Sequence, residues 1–289
     1  MNRPINLRAL LQKPESERSG PSRHAAIQVL VRALESHWPE YLIEATLLGL
    51  FMVSASLFAI ALSLPGSPVV ELIPGPTVRR FLMGVAMGAT AIGLIHSSWG
   101  KRSGAHFNPA VTLTFFSLGK IAWPDAVFYI VSQFAGGIAG VLVVAIFANH
   151  QMARPEINYV ATVPGPDGAA VAWFVEFAIS AVLMYVVLTV SSQQRFANWT
   201  GVVAGCLVAI NVTIAAPLSG MSMNPARTLG SALPSGTWTA WWVYFTAPPL
   251  AMLFAARLYV WIKGRTSVHC AKLHHENRQR CIFCNKPGA

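Results

Sequence analysis

Six long apolar segments, separated by short polar or turn-forming stretches, dominate the chain between residues 41 and 262. A helix needs about 20 residues to cross the hydrocarbon core of a bilayer, which is roughly 30 Å thick. Each segment approaches or exceeds this length, so the pattern predicts an all-α membrane protein with six transmembrane helices. The segments lie at about 41–64, 81–99, 122–148, 169–192, 197–217 and 237–261.

Two further apolar runs, at 109–118 and 225–233, contain only about ten residues and are too short to span a membrane. Each follows an Asn-Pro pair. Pro109 and Pro225 suit the first position of a helix, where the missing N–H costs nothing, and the preceding asparagines suit the N-cap. The runs are therefore predicted to be half-helices that enter the membrane from one face.

The chain also contains an internal repeat. Residues 103–113 and 219–229 are identical at seven of eleven positions, including Asn-Pro-Ala. Each copy follows the second crossing of a three-crossing unit. Because three is odd, the second copy is predicted to be inverted in the membrane, as in many channels and transporters. The second crossing of each half also carries small residues four apart, Gly84 with Gly88 and Gly201 with Gly205.

Inversion brings the two half-helices in from opposite faces, so their N-termini meet near the midplane. Non-helical backbone at that depth is tolerated only where it is buried in protein or lines a wet cavity. The loops before the half-helices are therefore expected to line a water path with their carbonyl groups. The candidate carbonyls belong to Gly104, Ala105, His106, Gly220, Met221 and Ser222.

Composition supports a membrane protein. Of the 289 residues, 54% are hydrophobic and only 11% are charged, whereas soluble domains carry about 25% charged residues. The net charge of +10 is concentrated at the ends, with six Lys or Arg in residues 1–40 and six in residues 263–289. Since positive loops stay cytoplasmic, this distribution predicts cytoplasmic N- and C-termini in the cell membrane. No nucleic-acid-binding signature accompanies the charge, so no nucleic-acid partner is expected.

The predicted organisation has three parts. Residues 1–40 form a basic segment with an amphipathic helix capped by Ser22, lying either at the membrane interface or against the protein. Residues 41–262 form the channel domain, with repeats at 41–148 and 169–262. Residues 263–289 form a basic tail.

The sequence resembles the aquaporin, or major intrinsic protein, family over residues 41–262. The resemblance rests on the two Asn-Pro-Ala boxes, a glutamate in the first span of each half, and an arginine after the second box. These residues are Asn108, Pro109, Ala110, Asn224, Pro225, Ala226, Glu44, Glu176 and Arg227. The resemblance implies an aquaporin-like bundle of six helices and two re-entrant half-helices. It also implies a homotetramer in the lipid bilayer, with one pore per subunit. It also implies passage of water or small neutral solutes rather than enzyme activity.

The boxes suggest how such a pore excludes ions. Asn108 and Asn224 each donate an N–H to a passing oxygen, and a water held by both cannot donate forward along the file. The half-helix dipoles raise the potential at the same point, which opposes cations and protons. By resemblance, Arg227 is the selectivity-filter arginine, with fixed and permanently charged donors.

Three further filter positions are assigned in the same way. By resemblance, Val212 and Met221 occupy two further filter positions, and the last position falls on Gly88 or, with one extra loop residue, on Met87. Val212 favours solutes with apolar surfaces, whereas Met221 is flexible and can fill or open the gap.

A water channel is the preferred interpretation, because Thr228 follows the second box and the last span contains the aromatic pair Tyr244-Phe245. The alternative is a broader channel for glycerol, urea, ammonia, hydrogen peroxide or a metalloid acid. A secondary transporter is less favoured, since it needs an ionisable pair at the midplane.

Two interpretations stay open for the glutamates of the first spans and for the Cys and His residues of the tail. Glu44 and Glu176 are expected to accept hydrogen bonds from the loops, with a proton relay as the alternative. No cofactor is expected in the pore. In the tail, however, Cys270, His274, Cys281 and Cys284 can provide a tetrahedral zinc site, the alternative being a flexible basic tail.

Overall fold

The computed structural model describes residues 23–288, and the side chains of residues 24–288. Across these residues every regular element is helical, and no β-strand is present. The predicted N-cap Ser22 and the basic residues before it lie outside the described residues.

Ten α-helices are assigned in this range. They are α1 Arg23–Ser63, α2 Pro68–Leu72, α3 Pro76–His96, α4 Ser98–Ser103, α5 Pro109–Ser117, α6 Trp123–Met152, α7 Gly168–Ser191, α8 Thr200–Ser219, α9 Pro225–Ser235 and α10 Trp242–Lys263. Short 3₁₀ turns cover Asn158–Val160, Ala197–Trp199 and Arg265–Ser267.

Six of these elements are long and apolar enough to cross a membrane, which confirms the six predicted spans. They are His24–Ser63, Pro76–His96, Trp123–Met152, Gly168–Ser191, Ala197–Ser219 and Trp242–Lys263. The second span begins at Pro76, earlier than predicted, because the proline suits the first helical turn. Helices α5 and α9 are the two predicted half-helices, at almost the predicted positions.

The described residues fall into two units, 23–38 and 39–288. In the first unit, the described residues 24–38 are helical and expose Ile27, Val31, Leu34 and Trp38. The second unit contains the rest of the fold. Its main helix contacts pair α3 with α8, α7 with α10, and α6 with α9.

Helices α3 and α8 approach closely at their glycines. A Cβ added to Gly88 would lie 2.5 Å from the carbonyl oxygen of Gly205, and one added to Gly84 would lie 2.5 Å from that of Ala209. Carbonyl oxygens cannot move away as a flexible side chain can. The glycines of both repeats therefore set the spacing of the two helices, as expected for small residues in lipid.

We expect the variant Gly88→Ala to be less stable than the wild type by about 1–3 kcal/mol, the range typical of overpacking. Gly93→Ala is the matched control on the same helix, because a Cβ there meets nothing within 4 Å. That control should be neutral or more stable by up to about 1 kcal/mol through helix propensity. Thermal unfolding in detergent measures both, and equal effects of the two variants would contradict the packing described here.

Candidate functional site

The two half-helices begin at the Asn-Pro-Ala boxes. The Asn108 side chain accepts from the backbone N–H of Ala110 at 2.9 Å. The Asn224 side chain accepts from the N–H groups of Ala226 at 3.0 Å and Arg227 at 3.2 Å. Both asparagines are thus N-caps with extended backbone, followed by proline at the first helical position.

The boxes are also joined to each other. Asn108 Nδ2 donates to the carbonyl of Met223 at 2.8 Å, and Asn224 Nδ2 donates to the carbonyl of Phe107 at 2.8 Å. A carboxamide nitrogen carries two hydrogens, so each asparagine keeps a second N–H. Because both side chains lie on the wall of a cavity, that second donor is available to its contents.

The loops before the half-helices contain left-handed residues at matching positions. Ala105 has φ 57° and Phe107 has φ 29° in the first loop, and Met221 has φ 48° and Met223 has φ 53° in the second. Left-handed backbone costs a non-glycine residue roughly 1–2 kcal/mol. Both loops therefore need compensating interactions to keep their shape.

Glu44 provides these interactions for the first loop. Its carboxylate accepts from the N–H groups of His106 at 3.1 Å and Phe107 at 2.7 Å. It also accepts from the hydroxyl of Ser103 at 2.7 Å and from Gln133 Nε2 at 2.8 Å. Glu44 is fully buried, and its four donors hold the loop in place.

Glu176 does the same in the second half. It accepts from the N–H groups of Ser222 at 2.8 Å and Met223 at 2.7 Å, and from the hydroxyl of Ser219 at 2.8 Å. No fourth donor like Gln133 is recorded among the described residues. In both halves the buried carboxylate thus accepts from the backbone N–H groups of its pore loop.

A pair of tyrosines completes the repeat. Sequence reasoning named Tyr244 only as part of an aromatic pair in the last span, and it did not name Tyr129. Tyr129 donates its hydroxyl to the carbonyl of Ser103 at 2.7 Å, and Tyr244 donates to that of Ser219 at 2.6 Å. Both tyrosines are buried at the start of the third crossing of their half. Their similar offset from the two serines is a signal that the repeat alignment could have provided.

A cavity of about 230 Å³ runs between the two boxes. Most of its wall is apolar, and its polar positions include both box asparagines and Arg227. Other wall residues include Phe51, Met83, Met87, Val208, Val212 and Met221. A path lined in this way offers a few fixed hydrogen-bond donors against a mainly apolar background.

Arg227 lies in the first turn of α9 and on the cavity wall. Its Nη1 atom is buried and has no hydrogen-bond partner among the described residues. A buried guanidinium nitrogen without a partner is costly unless a solute or water accepts from it. Arg227 thus lies on the cavity wall with one guanidinium nitrogen that no described residue satisfies.

Of the other predicted filter residues, Val212 and Met221 lie on the wall. At the position left open between Gly88 and Met87, the structure places Met87 on the wall, whereas Gly88 packs against α8. Ala105, His106, Gly220, Met221 and Ser222 also lie on the wall. Gly104 does not, because its carbonyl accepts from the N–H of Leu273 at 3.1 Å.

The C-terminal residues contribute to one end of the cavity, which sequence reasoning missed. Leu273 is a wall residue, and the carbonyl of Ala271 lies 2.7 Å from His106 Nε2. These residues are far from the pore loops along the chain, so no local pattern signals the contact.

In the C-terminal tail, the side chains that cluster differ by one residue from the predicted set of zinc ligands. Cys270, Cys281 and Cys284 lie together as expected, but the histidine beside them is His275 rather than His274. His274 instead packs edge-on against His96, with ring centroids 5.1 Å apart. The contact between the Cys270 and Cys281 thiols raises the pKa of Cys270 and lowers the pKa of Cys281, since one proton is shared between them.

Six crossings around two half-helices that meet end to end at a cavity define a membrane channel of the aquaporin type. The chain belongs to the major intrinsic protein family, whose profile matches residues 33–259. It is thus an integral multi-pass membrane protein, and members of this family are channels for water and small solutes rather than enzymes.

Plant aquaporins are among its relatives. The chain is 36% identical over 195 residues to putative aquaporin NIP4-1 of Arabidopsis thaliana, covering 67% of each protein. It is 38% identical to aquaporin NIP6-1 of the same plant, covering 63% of this chain and 58% of that protein. It is 34% identical to aquaporin NIP3-1 of Oryza sativa subsp. japonica, with 69% and 63% covered. The matched regions thus cover about two thirds or less of each relative's length.

Among solved structures, the aquaglyceroporin from Plasmodium falciparum matches with a TM-score of 0.66 and 19% identity. The match covers 77% of this chain and 95% of that chain. At this identity the likeness shows the fold alone.

Proposed function

We propose that this protein is a passive channel for water and for small uncharged solutes that have one apolar side, such as glycerol. The observation that carries the proposal is the cavity wall, which combines the donors of Asn108, Asn224 and Arg227 with a mainly apolar lining. The aquaporin names of the relatives support the water part. The broader of the two sequence-based alternatives is thereby preferred to a channel for water alone.

The chemistry follows from the wall. A water or hydroxyl oxygen accepts from the guanidinium of Arg227 and from the second N–H of each box asparagine. The carbon side of the solute contacts Met87 and Val212, so it gives up little hydration. Arg227 and the two half-helix N-termini carry positive charge or partial charge, which opposes cations and protons.

Proteoliposomes test the proposal directly. Stopped-flow light scattering after a sucrose step measures water permeability, and a glycerol step measures re-swelling as the solute enters. A chelator and a reductant keep the cysteines of the C-terminal region reduced and free of metal. This control is needed because the same region lines one end of the cavity through Leu273. We expect both permeabilities to exceed those of protein-free vesicles. Fast water flow with glycerol excluded would restore the water-only interpretation.

A filter variant sharpens this test. We expect Val212→Phe to reduce glycerol permeability by about 10-fold or more and water permeability less, because the larger side chain narrows the path. A misfit of this kind in an apolar site is worth about 1–3 kcal/mol. Ile210→Phe is the control, since Ile210 lies on the same helix but is exposed. Equal losses from the two variants would show that Val212 does not face the permeating solute.

The arrangement of the protein in the membrane is also part of the proposal. Glu40 and Arg280 pair at 2.9 Å, so the start of the first crossing and the tail lie on one side. With most cations at the two ends of the chain, this side is assigned to the cytoplasm of the cell. By family resemblance the channel domain, residues 41–262, forms a homotetramer, which native mass spectrometry would show as four chains.

A further inference from the structure

The C-terminal region contains a compact group of metal-binding side chains outside the pore. The ligand atoms of Cys270, His275, Cys281 and Cys284, here called the Cys/His cluster, all lie within 4.8 Å of one another. The two sulfurs of Cys270 and Cys281 are 3.4 Å apart, and His275 Nε2 lies 3.1 Å from Cys284 Sγ. This separation of the sulfurs is longer than a disulfide bond, and all four cysteines of the chain are free.

These separations suit zinc. A tetrahedral ion with Zn–S bonds of about 2.3 Å keeps neighbouring ligand atoms roughly 3.5–4 Å apart, and three cysteines with one histidine are a common structural set. The other nitrogen of the His275 ring, Nδ1, lies 3.7 Å from a carboxylate oxygen of Glu276. Zinc-bound histidines typically present their second nitrogen to such a carboxylate.

A buried cation beside the cluster points the same way. Lys272 is only 2% exposed, and its ammonium donates to the carbonyls of Lys101 and Arg280. Burying a charge is costly unless an opposite charge accompanies it. Zn²⁺ bound by three thiolates carries a net charge of −1, which would offset the charge of this lysine.

The residues between the ligands meet the pore. The tail segment, defined as residues 268–286, places Leu273 on the cavity wall and bonds its N–H to the carbonyl of Gly104 at 3.1 Å. The ring of Phe283 stacks on His106 with an interplanar angle of 2°. Arg280 anchors the same segment to Glu40. The tail segment thus covers the cavity end beside residues 103–106.

We propose that the Cys/His cluster binds one Zn²⁺ and that the ion fixes the tail segment over this end of the pore, so that zinc lowers flux. On binding, the Cys270–Cys281 pair releases its shared proton and Cys284 releases its own to solvent, and the three thiolates and the imidazole coordinate the ion. Without zinc, the ligands on either side of Leu273 are no longer tied together, and the segment can leave the pore. The effect on flux rests on the proposed channel function, whereas the zinc site does not.

The metal site is tested by elemental analysis of the purified full chain after equilibration with zinc and gel filtration under reducing conditions. We expect about one zinc per chain in the wild type, and loss of zinc in Cys270→Ser/Cys281→Ser and in His275→Gln. Two variants are matched controls, His274→Gln beside the cluster and Cys206→Ser in α8, and both should keep the metal. Cobalt substitution should give the visible absorption of a tetrahedral thiolate site.

The proposed site is overturned if the wild type holds no more zinc than Cys270→Ser/Cys281→Ser. It is also overturned if His274→Gln loses the metal and His275→Gln keeps it. Monodisperse elution of each variant from gel filtration shows that its channel domain remains folded.

The effect on the pore is tested by water permeability of proteoliposomes with zinc or chelator buffered on both sides of the membrane. We expect zinc to lower wild-type water permeability several-fold. The permeability of Cys270→Ser/Cys281→Ser should stay at the value of the zinc-free wild type with or without zinc. Equal permeability of the zinc-loaded and zinc-free wild type would overturn the covering role. If no form conducted water, the proposed channel function would fail, whereas the measured zinc content would still decide the metal site.

Discussion

Replacing Arg227 with valine should turn the channel into one that leaks protons and small cations while still conducting water. The Arg227 guanidinium lies on the cavity wall with one buried nitrogen that has no partner among the described residues. A cation about 5 Å from this charge is opposed by about 3 kcal/mol at an effective dielectric constant of ~20, which is ~100-fold in rate. Valine removes this barrier and also widens the path for larger solutes.

The leak is measured with a pH-sensitive dye inside proteoliposomes under a potassium diffusion potential, with chelator present. Arg79→Val is the control, because Arg79 is a cation at the start of α3 that does not lie on the cavity wall. We expect only the Arg227 variant to raise proton flux while both retain water flux. An unchanged proton leak in Arg227→Val would mean that the barrier lies elsewhere.

Replacing either buried glutamate with glutamine should destabilise its pore loop, and Glu44→Gln should cost more than Glu176→Gln. In the amide, one acceptor oxygen becomes a donor. At Glu44 each of the two oxygen positions faces two donors. At Glu176 the Oε2 position faces one recorded donor, Met223 N–H, and can take the amide nitrogen at a smaller loss. Hydrogen bonds to charged groups are worth about 1.5–3 kcal/mol each. We therefore expect about twice the loss of stability in Glu44→Gln.

Thermal unfolding in detergent gives the ranking, and stopped-flow water permeability per folded protein gives the effect on flux. Glu71→Gln is the control, because Glu71 is exposed on the short helix α2. Equal stability of all three variants would contradict the loop-support role. If wild-type solute flux instead followed a proton gradient and Glu176→Gln abolished that dependence, the glutamates would be a proton relay.

The half-helices were predictable because their signals are local. Asn108-Pro109 and Asn224-Pro225 each combine an N-cap with a first-turn proline, and the apolar run that follows is too short to span. The six crossings follow from length and hydropathy. The inversion follows from an odd number of crossings per repeat, and it brings both boxes to one cavity.

The rotation of α3 was not predictable in the same way. Counting back from the first Asn-Pro-Ala box did not decide whether Gly88 or Met87 occupies the filter position, because the answer depends on the length of the intervening loop. In the structure, Gly84 and Gly88 face α8, and this packing turns Met83 and Met87 to the cavity. The glycine pair is visible in the sequence. Placing it against a neighbouring helix would have assigned the face of α3 that carries Met83 and Met87 to the pore.

The tail was beyond sequence reasoning for a different reason. His274 and His275 are neighbours in a segment without regular structure, so no periodicity shows which one faces the thiols. The choice depends on tertiary contacts, such as that of His274 with His96 and that of Ala271 with His106. These contacts join residues far apart in the chain.

The central claim is that the cavity between Asn108 and Asn224 is an open path for water and small neutral solutes. The most direct measurement is the osmotic water permeability of full-length protein in proteoliposomes without any ion gradient, with chelator and reductant present, as a function of temperature. We predict a permeability well above that of protein-free vesicles, with an activation energy below that of the lipid. A permeability equal to that of protein-free vesicles, or one that requires an ion gradient, would contradict the account.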